Sequence, residues 1–340
     1  MLTVLDFYSG IGGFHFALQQ LGIEYKVLQA FDMNLNANHV YKLNFPQVHI
    51  NHLNIGFLKS AVLDDYNADL WVMSPPCQPY SRKGLRNGSK DARADSFLTI
   101  LELLSNMEKK PRKIIIENVL GFENSDTFEI LDKTARECGY IWQCYQLNSL
   151  DYGYPYSRPR MFVLLSLSNF NNCENDYKVS LEIPGFTKRE PNRIESYLVH
   201  DEIIPVARED LWKAGLYFDY VDSSSTRSCC FTKGYGQFAK GGGSVLAVNT
   251  NFYDQIVKEY KDIRDRMKGK EKWWEELGEC PFERMQPRYF SPREIANLHG
   301  LKNSFRMDGI TTKMAFKLLG NSMHIDVVHS CLRYLLHDLI

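Results

Sequence analysis

No apolar run in this 340-residue chain reaches the roughly 20 residues that a membrane-spanning helix requires. The first ten residues, MLTVLDFYSG, carry no basic leader and place an acid at position 6, so no secretory signal is expected. Neither sign of charge is in excess: 40 Lys and Arg stand against 41 Asp and Glu, a net charge of -1. That balance neither supports nor excludes a nucleic acid, because binding needs only a local basic face. None of the eight cysteines forms a C-x-x-C pair, so no metal site is expected. They read as reduced thiols of an intracellular, non-membrane protein, cytoplasmic or nuclear or both, with no compact basic localisation cluster. No internal repeat is present. What is there is ordinary for a folded protein, with 44% hydrophobic and 24% charged residues. The length suggests about two domains, or one with an insertion, and a monomer is expected.

The first half alternates strand and helix patterns. Residues 2–7, 26–31, 69–74 and 113–117 read as buried strands, with 142–147 and 161–166 following. Phe14, Ala17, Leu18 and Leu21 fall on one helix face that Gly22 ends, and Phe97, Ile100, Leu101 and Leu104 form another. Residues 34–44 and 128–138 read as further helices. This alternation argues for an α/β fold with a mostly parallel sheet and helices on both faces. The pattern breaks in the polar stretch 167–176. Residues 177–285 form a smaller, loop-rich domain with aromatics and a glycine run at 241–243. A solvated helix is expected within the charged stretch 257–277. Residues 286–340 return to the first domain, 1–166. Val327, Val328, Cys331, Leu332, Leu335, Leu336 and Leu339 form an amphipathic helix that needs its surface.

FYSGIGG at 7–13 follows the first strand directly. Glycines there bring backbone close to a ligand, with helix N–H groups facing outward. The G-x-G-G spacing is not that of the dinucleotide folds, and a plain tight turn is the alternative. Asp32, ending the next strand, stands where a ribose diol is held in such sheets, or else caps the following helix. Asn54-Ile55 is a third candidate, either at an adenine edge or in a turn. Consecutive strand ends on one sheet edge favour a nucleoside ligand.

VMSPPCQPYS at 72–81 locks Cys77 between prolines at the same edge, a setting for a nucleophile of lowered pKa; a small buried thiol is the alternative. Glu117, ending the buried strand, needs partners or a task. Arg158 and Arg160 lie two apart on one face of an extended segment, set to neutralise a carboxylate or polarised carbonyl, or simply a phosphate or surface pair. Arg82, Lys83, Arg86, Lys90 and Arg93 follow the nucleophile in a loop expected to meet phosphates. Lys109, Lys110, Arg112 and Lys113 form a second cluster, read as a solvated helix end. Aromatics at 217, 220, 235, 273 and 274 can stack on bases, though packing accounts for most of them.

The ordered set FYSGIGG, PPCQPYS, ENV, SRPR and LLGNS (318–322) resembles the cytosine-C5 methyltransferases over nearly the whole chain. The compact length and CFTKGYG at 230–236 are similar to the eukaryotic type-two branch, which acts on tRNA. The resemblance implies a Rossmann-like methyltransferase sheet that binds S-adenosylmethionine, and a small target-recognition domain that clamps nucleic acid. By it, Cys77 adds to C6 of cytosine, Glu117 bonds N3 and the exocyclic amine, and Arg158 and Arg160 position base and Glu117. Phe7, Gly10, Ile11, Gly12, Gly13, Asp32, Asn54, Ile55 and Ser322 surround the cofactor. The implied substrate is a tRNA anticodon-loop cytosine, cytosine 38 of tRNA-Asp. DNA is the alternative, and a catalytically silent nucleic-acid binder a further one. Asn54 departs from an Asp common in relatives, Tyr156 from a Gln, and Tyr80-Ser81 from a Phe-Ser or Phe-Thr.

Overall fold

The structure is a computed structural model that describes residues 1–77, 94–170, 178–199, 203–267 and 272–339. Runs such as KIIIEN form strands whose two faces are both covered, so apolar residues are not diluted by a polar alternation. β1 (Leu2–Phe7), β2 (Tyr25–Phe31), β3 (Ile50–Asn51), β4 (Leu70–Met73) and β5 (Lys113–Asn118) are parallel neighbours. β6 (Ile141–Leu147) and β7 (Arg160–Ser166) pair antiparallel, and β7 inserts antiparallel beside β5. β8 (Val179–Ser180) adds to β6, giving the order β3-β2-β1-β4-β5-β7-β6-β8.

β1 shows how one strand serves two cores. Leu2 and Val4 enter the apolar cluster that α1 (Gly13–Gln20) and α2 (Leu35–Asn44) cover. Leu5 and Phe7 enter the opposite cluster, under α3 (Ser60–Tyr66), α4 (Asp95–Asn106) and α5 (Asp126–Glu137). The helix face read from Phe97, Ile100, Leu101 and Leu104 is buried as expected. The sheet order reverses between β1 and β4, and the carboxyl ends there open the crevice where α/β sheets take ligands.

The second sheet is small: β9 (Ile204–Pro205), β10 (Asp219–Val221), β11 (Ser244–Leu246) and β12 (Arg288–Tyr289), in the order β10-β11-β12-β9. α6 (Arg208–Ala214) and α7 (Tyr253–Arg266) contribute Trp212 and Tyr260 to its apolar cluster, joined by Phe282 from the turn Pro281–Met285. Two edges differ from the expected division. β8 still belongs to the large sheet, and β12 carries the small sheet past residue 285.

The chain returns through α8 (Pro292–Leu298), α9 (Thr312–Gly320) and α10 (Ile325–Leu335). α10 buries Val327, Val328, Cys331, Leu332 and Leu335 in the cluster shared with α1, each such side chain stabilising by about 1.5–3 kcal/mol. Lys113 departs from the solvated helix end expected of it. Because β5 begins there, its stem is buried, and its Nζ reaches Ser166 and Ser168 at 2.9 Å and Asp338 at 2.9 Å. Among the described residues no helix is long and apolar enough to cross a membrane.

Candidate active site

The glycine turn hangs from β1 and β2. Gly10, with φ of 53°, donates its N–H to Asp32 Oδ2 at 2.8 Å. Asp32 Oδ1 accepts from Asn34 N–H at 2.7 Å, and Asn34, not Asp32, caps α2. One carboxylate thus fixes both the turn and the entry to the next helix. Burial raises the Asp32 pKa, against the hydrogen bonds from Asn34 and Gly10. Asn54 caps the short turn Ile55–Phe57 by accepting from Gly56 N–H at 3.0 Å.

One cavity of about 490 Å³ runs along these strand ends. Gly10, Ile11, Gly13, Asp32, Asn54 and Ile55 wall it, and so does Ser322 from the turn after α9. Two expected residues do not reach it. Phe7 is the last residue of β1 and points into the core, stacked on Phe31 with ring centroids 5.1 Å apart. Gly12 backs onto the Tyr41 and Phe45 rings, where a Cβ would stand 3.1–3.2 Å away. Tyr8 takes the place expected of Phe7: the strand has ended, its φ is 55°, and it lines the cavity. The lone bulky residue of the turn was the available signal, since a strand's alternation stops at its end.

The same cavity contains Cys77, Glu117, Arg158 and Arg160. Glu117 is 7% exposed, with Ser74 Oγ–H donating to Oε2 at 2.7 Å and Arg160 Nε 3.0 Å from Oε1. Asn118 Nδ2 donates to the Pro75 carbonyl at 3.3 Å. β5 therefore holds the Pro-Pro-Cys turn through two side chains, Glu117 and Asn118, one residue apart. The lowered thiol pKa expected for Cys77 is not found. Burial pushes it up and the Glu117 charge adds to this, while Arg160 and Arg158 oppose it.

Arg158 and Arg160 both line this cavity but bond different partners. Arg158 is 3% exposed and precedes β7, across Pro159. Its Nη1 donates to Tyr156 Oη at 3.1 Å, Cys230 Sγ at 3.3 Å and the Phe231 carbonyl at 3.2 Å. Its Nη2 donates to the Gly320 carbonyl at 3.0 Å and to that of Ser322. Three stretches remote in sequence meet on one guanidinium. Burial opposes its charge, but Tyr156, Cys230 and Glu117 hold its pKa above the ordinary arginine value. Reciprocally, burial raises the Cys230 thiol, yet Arg158 and Arg160 hold it below its usual value. Gly320 is required at this junction, because a Cβ there would stand 2.3 Å from the Thr232 backbone. Arg82, Lys83, Arg86, Lys90 and Arg93 lie outside the described residues.

The donor set suits a nucleoside ligand. Ser9 Oγ and Ser322 Oγ are buried without a partner among the described residues, and both residues line the cavity. Polar atoms so placed cost about 1–3 kcal/mol each unless something bonds them.

The family model for the C-5 cytosine-specific DNA methylases matches residues 2–337. A tRNA (cytosine(38)-C(5))-methyltransferase of Schizosaccharomyces pombe is 34% identical, over 99% of this chain and 98% of that protein. A DNA (cytosine-5)-methyltransferase of Dictyostelium discoideum is 32% identical, over 98% of this chain and 94% of that protein. Among solved structures, the crystal structure of a Spodoptera frugiperda DNMT2 mutant is similar with a TM-score of 0.83 and 31% identity, over 98% of this chain and 99% of that one. With Cys77, Glu117 and the glycine turn on one cavity and a match along almost its whole length, the chain belongs to the C-5 cytosine methyltransferase family, whose members use S-adenosylmethionine.

Proposed function

We propose that this protein is an S-adenosylmethionine-dependent tRNA (cytosine-5-)-methyltransferase acting on an anticodon-loop cytosine, cytosine 38 of tRNA-Asp. The observation that carries the chemistry is the single cavity of about 490 Å³ joining the glycine turn to Cys77, Glu117 and Arg160. The substrate reading rests on relatives of matching length named as tRNA (cytosine(38)-C(5))-methyltransferases.

Gly10, Ile11 and Gly13 would face the methionine and adenosine portions, Asp32 the ribose, Asn54 and Ile55 the adenine, and Ser322 would close the site. Asp32 already accepts one bond at each oxygen, and each oxygen keeps a second lone pair for a hydroxyl. The Asn54 carbonyl caps its own turn, which leaves the amide N–H groups for the adenine edge. Bound S-adenosylmethionine supplies an electrophilic methyl group.

Cytosine C5 is a poor nucleophile. Cys77 Sγ loses its proton and bonds to C6, which makes C5 enamine-like. Glu117, carrying a proton in this step, donates it to N3 and accepts from the exocyclic amine, so the electron pair that the addition pushes onto the ring ends in an N3–H bond. Arg160 keeps the Glu117 carboxylate in place; Ser74 does so from the other side. Once C5 carries the methyl group, its proton passes to solvent, the C5–H pair re-forms the C5=C6 bond and Cys77 leaves C6 as a thiolate, while N3 returns its proton to Glu117 and the thiolate regains one from solvent. The base must leave its stack to reach Cys77 in this cavity, and an anticodon-loop base is already partly unstacked.

The test is transfer of labelled methyl from S-adenosylmethionine to total tRNA and to genomic DNA in parallel, with Cys77→Ala as control. Label in tRNA alone, lost in the variant, is expected. Label in DNA alone would keep the chemistry and overturn the substrate; retained transfer in Cys77→Ala would overturn the mechanism.

A further inference from the structure

A second cavity of about 440 Å³ opens beside the first, and Asn34, Leu318 and Asn321 wall both. Its remaining wall comes from the turn of CFTKGYG and from α9: Lys233, Gly234, Gln237, Phe238, Met314 and Lys317. Two lysines face it, and among the described residues no Asp or Glu lines it. We propose that this cavity is a subsite for the nucleotide flanking the target base. Its base stacks on Phe238, and its phosphates lie against Lys233 and Lys317. The proposal rests on the reading of the protein as an RNA methyltransferase and extends that reading to how the strand is held.

Phe238 is the residue that argues for it. Its side chain is 66% exposed, yet it is held in place. The ring lies over Gly234, so close that a Cβ there would stand 2.7 Å from a ring carbon. The turn beneath is closed by Gln237 and Phe238 N–H groups donating to the Gly234 carbonyl at 3.0 and 3.1 Å. It is tied to the glycine run by Thr232 N–H donating to the Gly242 carbonyl at 2.8 Å. A ring fixed on backbone with its other face in solvent is a stacking platform that loses little entropy when a base covers it. Base–aromatic stacking is worth about 1–3 kcal/mol and tolerates any base.

Charge and continuity complete the case. Lys317 is half-buried on the last turn of α9 and Lys233 is exposed on the turn, so the cavity has cationic groups on both contributing elements. A strand whose target base enters the first cavity has to run its neighbouring nucleotide past the shared wall. Asn34 and Asn321, both on that wall, have polar side chains suited to the sugar or base edge.

The experiment measures methyl transfer by the full chain to tRNA and to copies abasic at one position on either side of the target cytosine. Wild-type transfer to intact tRNA is measured first, and its absence overturns the functional reading together with the subsite. Given transfer, Phe238→Ala is expected to raise KM for RNA roughly 10-fold, with kcat and S-adenosylmethionine affinity nearly unchanged. Phe238→Tyr retains the wild-type KM. One abasic position produces the same loss in wild type and no further loss in Phe238→Ala. Lys233→Ala and Lys317→Ala each lower the slope of log affinity against log salt by about 0.7. An unchanged KM in Phe238→Ala, or losses that simply multiply with both abasic positions, overturns the subsite and leaves the methyltransferase reading standing. Equal binding by an unrelated acidic peptide would assign the cavity to a protein partner instead.

Discussion

Glu117 Oε1 receives Arg160 Nε at 3.0 Å, and that pairing divides two arginines that the sequence sets two residues apart. Arg160 serves the carboxylate of the site. Arg158 serves the junction at which the small domain, the end of α9 and the catalytic sheet meet.

The division predicts different failures. Arg160→Gln is expected to lower kcat by roughly 10- to 100-fold, the scale of a lost charge-assisted bond to a buried carboxylate, with little change in Tm. Arg158→Met strips the donor from several buried acceptors and is expected to destabilise the fold by about 3 kcal/mol or more. Calorimetric melting beside steady-state kinetics separates the two. Equal loss of Tm in both variants would refute the division.

Cys77 provides a readout that needs no turnover. Burial and the Glu117 charge raise its thiol pKa, and the two arginines oppose them. Site-resolved alkylation of Cys77 is therefore expected to accelerate with pH well into the alkaline range. Glu117→Gln removes a raising influence and shifts that curve to lower pH. Arg160→Gln removes a lowering one and shifts it to higher pH. Shifts in the opposite sense would show that these charges do not reach the thiol.

Much of this site was legible because strand ends in a doubly covered sheet are legible. KIIIEN announces β5, and a carboxylate at its end is conspicuous. Cys77 stands out through its prolines, and the glycine turn through its position after β1. What failed did so for local reasons. Phe7 entered the site through the family resemblance although the strand read at 2–7 ends on it, so Tyr8, the first residue past the strand, was passed over. Arg158 and Arg160 line one cavity, but the partners that set them different tasks, Cys230, Phe231, Gly320 and Ser322 against Glu117, lie far away in sequence. Strands of two residues, such as β3 and β12, carry too few side chains to show a period. The partner of Lys113, Asp338, is 225 positions away and no local pattern points to it. Phe238 escaped notice because an exposed aromatic in a glycine-rich turn looks like a loop residue until the turn is seen to fix it.

Asp32 holds the glycine turn as well as facing the ligand. Asp32→Asn keeps the size but replaces one accepting oxygen with a donor, facing either Gly10 N–H or Asn34 N–H. S-adenosylmethionine affinity is expected to fall by roughly 10- to 100-fold, while Cys77 alkylation stays near its wild-type rate. Titration calorimetry measures the first and site-resolved mass spectrometry the second. Unchanged affinity would reduce Asp32 to a turn residue.

Beneath the turn, Asp6 is buried at 1% exposure among apolar neighbours of α1 and α2, with Oδ1 unpartnered among the described residues. Tyr41 Oη–H donates to Oδ2 at 3.2 Å, and Tyr41 is itself 3.0 Å from His15 Nδ1. Burial, and to a smaller degree the Asp32 charge, raise the Asp6 pKa to about 8 despite the Tyr41 bond. A raised folded-state pKa means that the native state binds the proton more tightly than the unfolded chain does. The stability linked to that proton is complete below the unfolded value of 3.8 and is lost as pH climbs through about 8. Asp6→Asn carries no proton to lose, so the difference in unfolding free energy, variant minus wild type, is expected to grow steadily from about pH 4 to pH 8 and then level off. Denaturant melts across that range test it. A difference that stays flat with pH would mean that Asp6 finds a partner for its charge, and a difference that shrinks would reverse the assigned direction. The same titration touches function, because ionised Asp6 places a second negative charge near Asp32 at the floor of the glycine turn. Wild-type affinity for S-adenosylmethionine should then weaken above pH 8, and Asp6→Asn should remove that weakening.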